Sequence, residues 1–388
     1  MTPITQPKFL KTILISTCLM CAPSLSYSQA TPEVKDHLAA CQESLTKKDY
    51  TSAIMHCQEV LQRNSGSAQA YNNIGLAYAA SDDLIFAMRN LDQAIALDPQ
   101  KAEYYINRAA IEIRLDEGEK AHNDYAKAIE LAPNNASYYY DRGILFQRQT
   151  LIEAAMADFN KAVELDPKFA PPYKELAKFD YAKGEVNQAL PYANKFLEAQ
   201  PDDPEVLTIR GKMYRLKHDQ KEPTNEQLLT DALADCKKAS QKDPSYAPAH
   251  ACLASVYLSQ NQFEKSTASA TKAIALGLTE NVYVTRAIAR YRLRNYIKSK
   301  EDVNSAIELG ESPNPKFLED LAKAMAAEAA DAAVAKAKVD EAVSAVAARA
   351  AEAEAKIKAD AEAKAKADVA AGIFNAVKTN EETAASTK

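Results

Sequence analysis

Residues 68–101 read AQAYNNIGLAYAASDDLIFAMRNLDQAIALDPQK, and the same pattern returns along most of the 388-residue chain. Counted from Ala68, Tyr71, Ile74, Gly75 and Tyr78 stand at positions 4, 7, 8 and 11, and Ala87, Leu91 and Pro99 at positions 20, 24 and 32. Ala87, Ala121, Ala155 and Ala189 are each 34 residues apart, as are Pro99, Pro133, Pro167 and Pro201. Self-similarity at a fixed period of this length marks an array of stacked units. Positions 4, 7, 8 and 11 share one face of a first helix, A, and positions 20, 24 and 27 share one face of a second, B. Small residues at 8 and 20, such as Gly75 with Ala87 or Gly143 with Ala155, let the two helices approach closely, and aromatic residues at 4, 11 and 24 fill the wider gaps. Proline at 32 ends helix B and turns the chain into the next unit.

The frame continues with Tyr105, Arg108, Ala109, Ala121, Tyr125 and Pro133, and then with Tyr139, Gly143, Phe146, Ala155, Phe159 and Pro167. Tyr173, Leu176, Ala177, Ala189 and Pro201 follow, and then Leu207, Gly211, Tyr214, Ala232, Cys236 and Pro244 around a nine-residue insertion. Weaker copies begin near Val34, Ala247 and Glu280. These motifs resemble the tetratricopeptide repeat, with tyrosine where that family has tryptophan at position 4. The resemblance implies an all-α chain, a right-handed α-α superhelix of about eight helix-turn-helix repeats. Their expected bounds are 34–67, 68–101, 102–135, 136–169, 170–203, 204–246, 247–279 and 280–313. One such hairpin cannot bury its apolar surface alone, so repeats stack and leave a concave groove lined by the A helices.

The flanks differ in composition. Lys8 and Lys11, the apolar run 13–22 and Ser28-Gln29-Ala30 have the layout of a secretory signal at 1–30, cut after Ala30. An apolar run of about ten residues is half of what a membrane span needs, so a retained anchor is not expected, and neither is an integral span after cleavage. Cys18 and Cys21 follow Thr17 and Met20, where a lipid-attached cysteine wants a small residue, so lipoprotein anchoring is the weaker alternative. The expected destination is the bacterial periplasm. After Pro313, residues 314–326 with Phe317, Leu318, Leu321 and Met325 read as a capping helix. In residues 321–370, 24 of 50 are alanine, interleaved with Lys, Glu and Asp, so 327–370 reads as a long charged helix and 371–388 as a flexible tail. This tract resembles the Ala/Lys/Glu helix of periplasm-spanning TolA-type proteins. Val339, Val343, Val346, Ala350, Ala353 and Ile357 keep a 4-3-4-3-4 coiled-coil spacing in it, over fewer than three heptads.

Composition excludes several functions. The chain carries 47 bases against 53 acids, and cleavage would remove two lysines and no acid, so non-specific nucleic-acid binding is not expected. Nine glycines, three of them at packing position 8 (Gly75, Gly143, Gly211), provide no phosphate loop. His37, His56, His122, His218 and His250 form no pair at helical spacing, and no HExxH or CxxC motif occurs, so neither metal nor cofactor is expected. His37 and His250 occupy packing position 4. Nothing in the chain forms a catalytic constellation, and the sequence reads as no enzyme.

Four cysteines remain after cleavage. Cys41 with Cys57, and Cys236 with Cys252, are 16 residues apart in adjacent helices, and in an oxidising compartment each pair is a candidate disulfide. The competing reading is a small buried hydrophobe. The resemblance also implies that positions 2, 5, 9, 12 and 13 of the A helices line a ligand groove. These supply Arg114, then Tyr140, Ile144 and Arg148, then Lys174, Lys178 and Tyr181, then Lys212 and Arg215, with Glu103 and Glu205 partly offsetting the cations. The expected function is an exported scaffold or adaptor that holds a protein partner, an acidic or C-terminal segment, in this basic groove. The alternative is a cell-envelope adaptor that acts through the Ala-rich helix, with the repeats as a platform.

Overall fold

The computed structural model describes residues 32–220 and 225–385, so the expected signal at 1–30 lies outside them. The described residues form 17 α-helices and no strand. They divide into two compact units, up to Gln260 and from Asn261 onward.

The first unit holds α1 (Pro32–Thr46), α2 (Tyr50–Arg63), α3 (Ala68–Ala80), α4 (Leu84–Leu97), α5 (Ala102–Arg114), α6 (Gly118–Leu131) and α7 (Ala136–Arg148). It continues with α8 (Ile152–Leu165), α9 (Pro171–Ala182), α10 (Val186–Ala199), α11 (Pro204–Asp219), α12 (Asn225–Lys242) and α13 (Ala247–Ser259). Each helix packs on the next, and A helices of successive repeats also touch, as α9 does α11. The second unit holds α14 (Phe263–Ala275), α15 (Val282–Arg292), α16 (Tyr296–Glu308) and α17 (Pro315–Ala385), again packed in order.

The small positions work by proximity. Ala53, Ala87, Ala121, Ala155, Ala189 and Ala232, all at position 20, are wholly buried. A Cβ on Gly143 would stand 2.7 Å from the Phe159 ring, and one on Gly211 would stand 2.6 Å from Cys236 Sγ. In the fourth and sixth repeats position 8 therefore meets position 24 of the same repeat with no room for a methyl group. In the eighth repeat the closeness takes a polar form, with Ser299 Oγ donating to the Ala287 carbonyl at 2.8 Å.

Two kinds of polar pin recur. The hydroxyls of Tyr105, Tyr139 and Tyr173 donate to the carbonyls of Pro99, Pro133 and Pro167 at 3.2, 3.1 and 3.2 Å. His250, in the same slot, holds Nε2 3.0 Å from the Pro244 carbonyl. Position 4 thus ties these four A helices to the proline that ended the previous B helix. The second pin is an arginine at position 7 that forks onto an aspartate at position 23. It occurs as Arg108–Asp124 (2.7 and 2.8 Å), Arg142–Asp158 (both 2.8 Å), Arg210–Asp235 (2.7 and 2.8 Å) and Arg286–Asp302 (2.7 Å). Planar two-point contacts of this kind are the stronger class of charged hydrogen bond.

Every described A-to-B turn uses one left-handed residue: Lys48, Asp82, Asp116, Thr150, Gly184, Asn261 and Arg294, with φ between 56° and 79°. Only Gly184 adopts this conformation without a steric cost. The sulfur atoms of Cys41 and Cys57 lie 2.10 Å apart and those of Cys236 and Cys252 1.98 Å apart, all four residues fully buried.

The C-terminal region departs from expectation. The capping segment 314–326 and the Ala-rich tract 327–370 are one continuous helix, and the stretch from 371 expected as a tail stays helical to Ala385. No glycine or proline interrupts residues 316–371, so the change in composition brings no helix breaker. Leu321 is buried against Ala287 and Val303, flanked by Phe317, Leu318 and Met325.

Candidate partner-binding face

The nine residues expected along the groove lie on α5, α7, α9 and α11, and the structure gives them unequal surroundings. Arg114 turns back into its own fold. Its guanidinium donates to the Ala79 carbonyl at 2.6 Å and to the Asp82 carboxylate at 2.5 Å, and only 14% of the side chain is exposed. Asp82 is the left-handed turn residue of the preceding repeat, so Arg114 fastens one repeat to the turn of another.

On α7, Tyr140 and Ile144 are half-buried beside the cluster of Phe159 and Leu176. The Tyr140 ring lies 5.7 Å from that of Phe159 and meets Phe169 edge-on at 5.5 Å. Burial, helped by the negative charges of Glu175 and Asp141, pushes its hydroxyl well above the usual tyrosine range. One turn further on, Arg148 is exposed and, among the described residues, makes no ion pair.

On α9 the expected free cations are charge-balanced. Lys174 Nζ sits 2.9 Å from Asp203 and 2.7 Å from Glu205 and lies over the Phe196 ring. Burial disfavours its charge, but the hydrogen bonds it donates to Glu205 and Asp203 win and hold it above the usual lysine value. Lys178 reaches Glu175 and Glu205, both at 3.3 Å. Burial alone would raise Glu205, yet the two lysines hold it below the usual carboxylate range. Tyr181 packs half-buried against the neighbouring core, which raises its hydroxyl. On α11, Lys212 is half-buried and Arg215 pairs with Asp219 at 2.5 Å.

The structure therefore brings Lys174 and Lys178 together around Glu205, one of the two acids expected to offset the stripe, and it adds partners for Arg114 and Arg215. Arg114, Lys174, Lys178 and Arg215 spend their charge inside the chain. The counter-charges Asp82 and Asp203 lay outside the sequence reading because a helical wheel shows one helix, whereas these carboxylates come from the turns after α3 and before α11. Also unforeseen was a buried amide chain between α3 and α5. There Gln69 and Asn72 donate to Asn73 at 3.1 and 3.5 Å, and Asn107 donates to Asn72 at 2.7 Å. Among the described residues no three His, Cys, Asp or Glu side chains are grouped to hold a metal ion, and no helix is long and apolar enough to cross a membrane.

Comparison with known proteins adds sequence and fold relatives. The family described as "Tetratricopeptide repeat" matches residues 68–101 and 136–169. The Hsp70-Hsp90 organizing protein of Triticum aestivum is 28% identical over 83 residues, which are 21% of this chain and 14% of that protein. The chain thus spans about a seventh of that curated relative. Among solved structures, pilF of Pseudomonas aeruginosa matches 56% of this chain and 95% of its own with a TM-score of 0.50 at 15% identity, a likeness of fold. A tetratricopeptide repeat protein from Parabacteroides merdae matches 67% of this chain and 99% of its own, with a TM-score of 0.43 at 19% identity.

Proposed function

The chain is a tetratricopeptide-repeat protein, typical of protein-interaction scaffolds, and from that premise we propose that it is an exported, non-catalytic scaffold holding an extended segment of a protein partner against α7, α9 and α11. The observation that carries this is the half-exposed stripe of Tyr140, Ile144 and Arg148 on α7, an apolar floor with an unpaired cation at its edge. Lys178, whose side chain is 33% exposed, continues it on α9. An acidic segment suits this face, with Arg148 as its first anchor, since Lys174 and Lys178 release a carboxylate only in exchange for Glu205. Charge-assisted hydrogen bonds contribute roughly 1.5–3 kcal/mol each, and an exchange returns less than that.

Export is supported by the signal-like N-terminus and by two buried cysteine pairs at bonding distance. Photo-cross-linking in the intact envelope tests the reading. A cross-linking residue at Arg148 or Ile144 should capture a protein, and one at Glu153, exposed on α8, should not. Arg148→Glu should weaken capture about tenfold and reduce its salt dependence. Capture from Glu153 and from the C-terminal helix, with none from α7, would move the function to that helix.

A further inference from the structure

The long helix α17 carries an apolar stripe that nothing among the described residues covers. Every residue in 326–372 is exposed. Yet Val339, Val343, Val346 and Ile357 are 60, 63, 66 and 69% exposed on a segment, 335–358, that otherwise offers alanine, charge and one serine. At about 100° per residue, these four with Ala350 and Ala353 fall within an arc of roughly 80°, and Val339 and Ile357 share one azimuth. Lys336 closes the stripe at one end and Asp360 with Lys364 at the other, all in register with it. The stripe is therefore about 27 Å long, five helical turns.

The charges beside the stripe indicate its occupant. In heptad terms Val343, Ala350 and Ile357 take position a, and Val339, Val346 and Ala353 take position d. The e edge then carries only acids, Asp340 and Glu354, and the g edge only bases, Arg349 and Lys356. A parallel pair of identical helices sets each g edge against the partner's e edge, base facing acid, with Arg349 of one copy beside Glu354 of the other on both flanks. An antiparallel pair sets g against g and e against e, so like charges meet.

We infer that residues 339–357 of α17 form a parallel two-stranded coiled coil with a second copy of this chain, so that each assembly presents two repeat arrays. The inference stands apart from the groove on α7. Sedimentation equilibrium of the full chain should show reversible dimers at about 100 µM that dissociate near 1 µM. Val343→Asp with Val346→Asp should weaken dimerisation at least about 100-fold while helical circular dichroism is kept, because these side chains support nothing within the chain. Arg349→Glu should weaken it about tenfold, and adding Glu354→Arg should restore it to within about threefold. Val339→Cys should oxidise to a covalent dimer, since only the parallel register sets residue 339 opposite itself; the antiparallel register sets it opposite Ile357. A chain monomeric at about 100 µM, a dimer indifferent to the valine substitutions, or a charge swap that fails to restore would each overturn the inference. Monomers would also be the outcome if the stripe serves a helix of a different protein.

Discussion

Lys174 holds its ammonium 2.7 Å from the carboxylate of Glu205, joining α9 to α11 across the boundary between the fifth and sixth repeats. On the sequence alone, such cations are surface ornaments whose removal costs the fold nothing. In the structure Lys174 is three-quarters buried among Asp203, Glu205 and Phe196. Lys174→Ala should therefore lower stability by about 1–2 kcal/mol, read from urea midpoints, because two carboxylates lose their donor. Lys178→Ala should cost less than about 1 kcal/mol, its contacts being longer and more exposed. Equal and negligible losses for both would remove the inter-repeat role.

Gly211 should be the least tolerant glycine. An added methyl group meets Cys236 Sγ at 2.6 Å, Ala232 O at 3.1 Å and Cys252 Sγ at 3.2 Å, none of which is the free end of a flexible side chain. Gly211→Ala should cost about 1–3 kcal/mol despite the better helix propensity of alanine. Gly372→Ala, where an added methyl meets nothing, should be neutral or slightly stabilising by thermal unfolding.

Stability should fall as pH rises through the weakly acidic range. Burial first, and then the charge of Asp124, pushes the carboxyl of Glu112 up to about 7 from 4.5, against the pull of Arg108. Between those values the folded chain keeps a proton that the unfolded chain has released, so raising the pH favours unfolding until the folded carboxyl has also ionised. Asp141, pushed by burial to about 7, has the same sign. Glu112→Gln should flatten the decline between pH 5 and 8 and be more stable than the parent at pH 8 by on the order of 2 kcal/mol. A parallel pH profile for the two proteins would show that Glu112 ionises normally.

The turn after α7 should accept improvement. Thr150 has φ of 61°, a left-handed conformation in a β-branched residue. Thr150→Asn should raise stability by about 0.5–1 kcal/mol, since asparagine tolerates this region and occupies the same turn position at Asn261. Gly184→Ala in the equivalent turn should lower it by about 1 kcal/mol, although no neighbour stands in the way of the methyl. A calorimetric pair with both signs reversed would refute the strain argument.

The period, the helix faces and the close approach at Gly143 were legible in the sequence because they follow from spacing and side-chain size within one repeat. The Arg108–Asp124 pin was legible in principle, since arginine at position 7 and aspartate at position 23 recur together in the third, fourth, sixth and eighth repeats. It went unread because each charge alone looks like a solvated residue. The candidate face was harder. Arg114 and Lys174 lie where the helical wheel puts groove residues, but Asp82 arrives from the preceding repeat and Asp203 from the turn that closes the repeat of Lys174, and the spacing within one helix carries no information about either. The break expected near residue 326 followed a change in composition, which is not itself a reason for a helix to stop.

The pins have a consequence for how such a chain can change. Alanine and glycine surfaces are smooth, and two helices that meet through them could slide by one turn, about 5.4 Å, at little cost in buried area. An Arg142 that has slid past Asp158 leaves two buried charges unmatched, and sulfur atoms at Cys41 and Cys57 cannot meet at all after such a slip. Each of these repeats is keyed to itself, although Arg108 and Arg210 also reach Asp92 and Asn194 of the repeat before. Whole 34-residue modules can therefore be duplicated, lost or exchanged with their internal alignment intact, whereas residues inserted into only one helix of a hairpin separate lock from key. The nine-residue insertion of the sixth repeat fits that rule, since it lengthens both α11 and α12 beside the turn that joins them and leaves Arg210 still paired with Asp235.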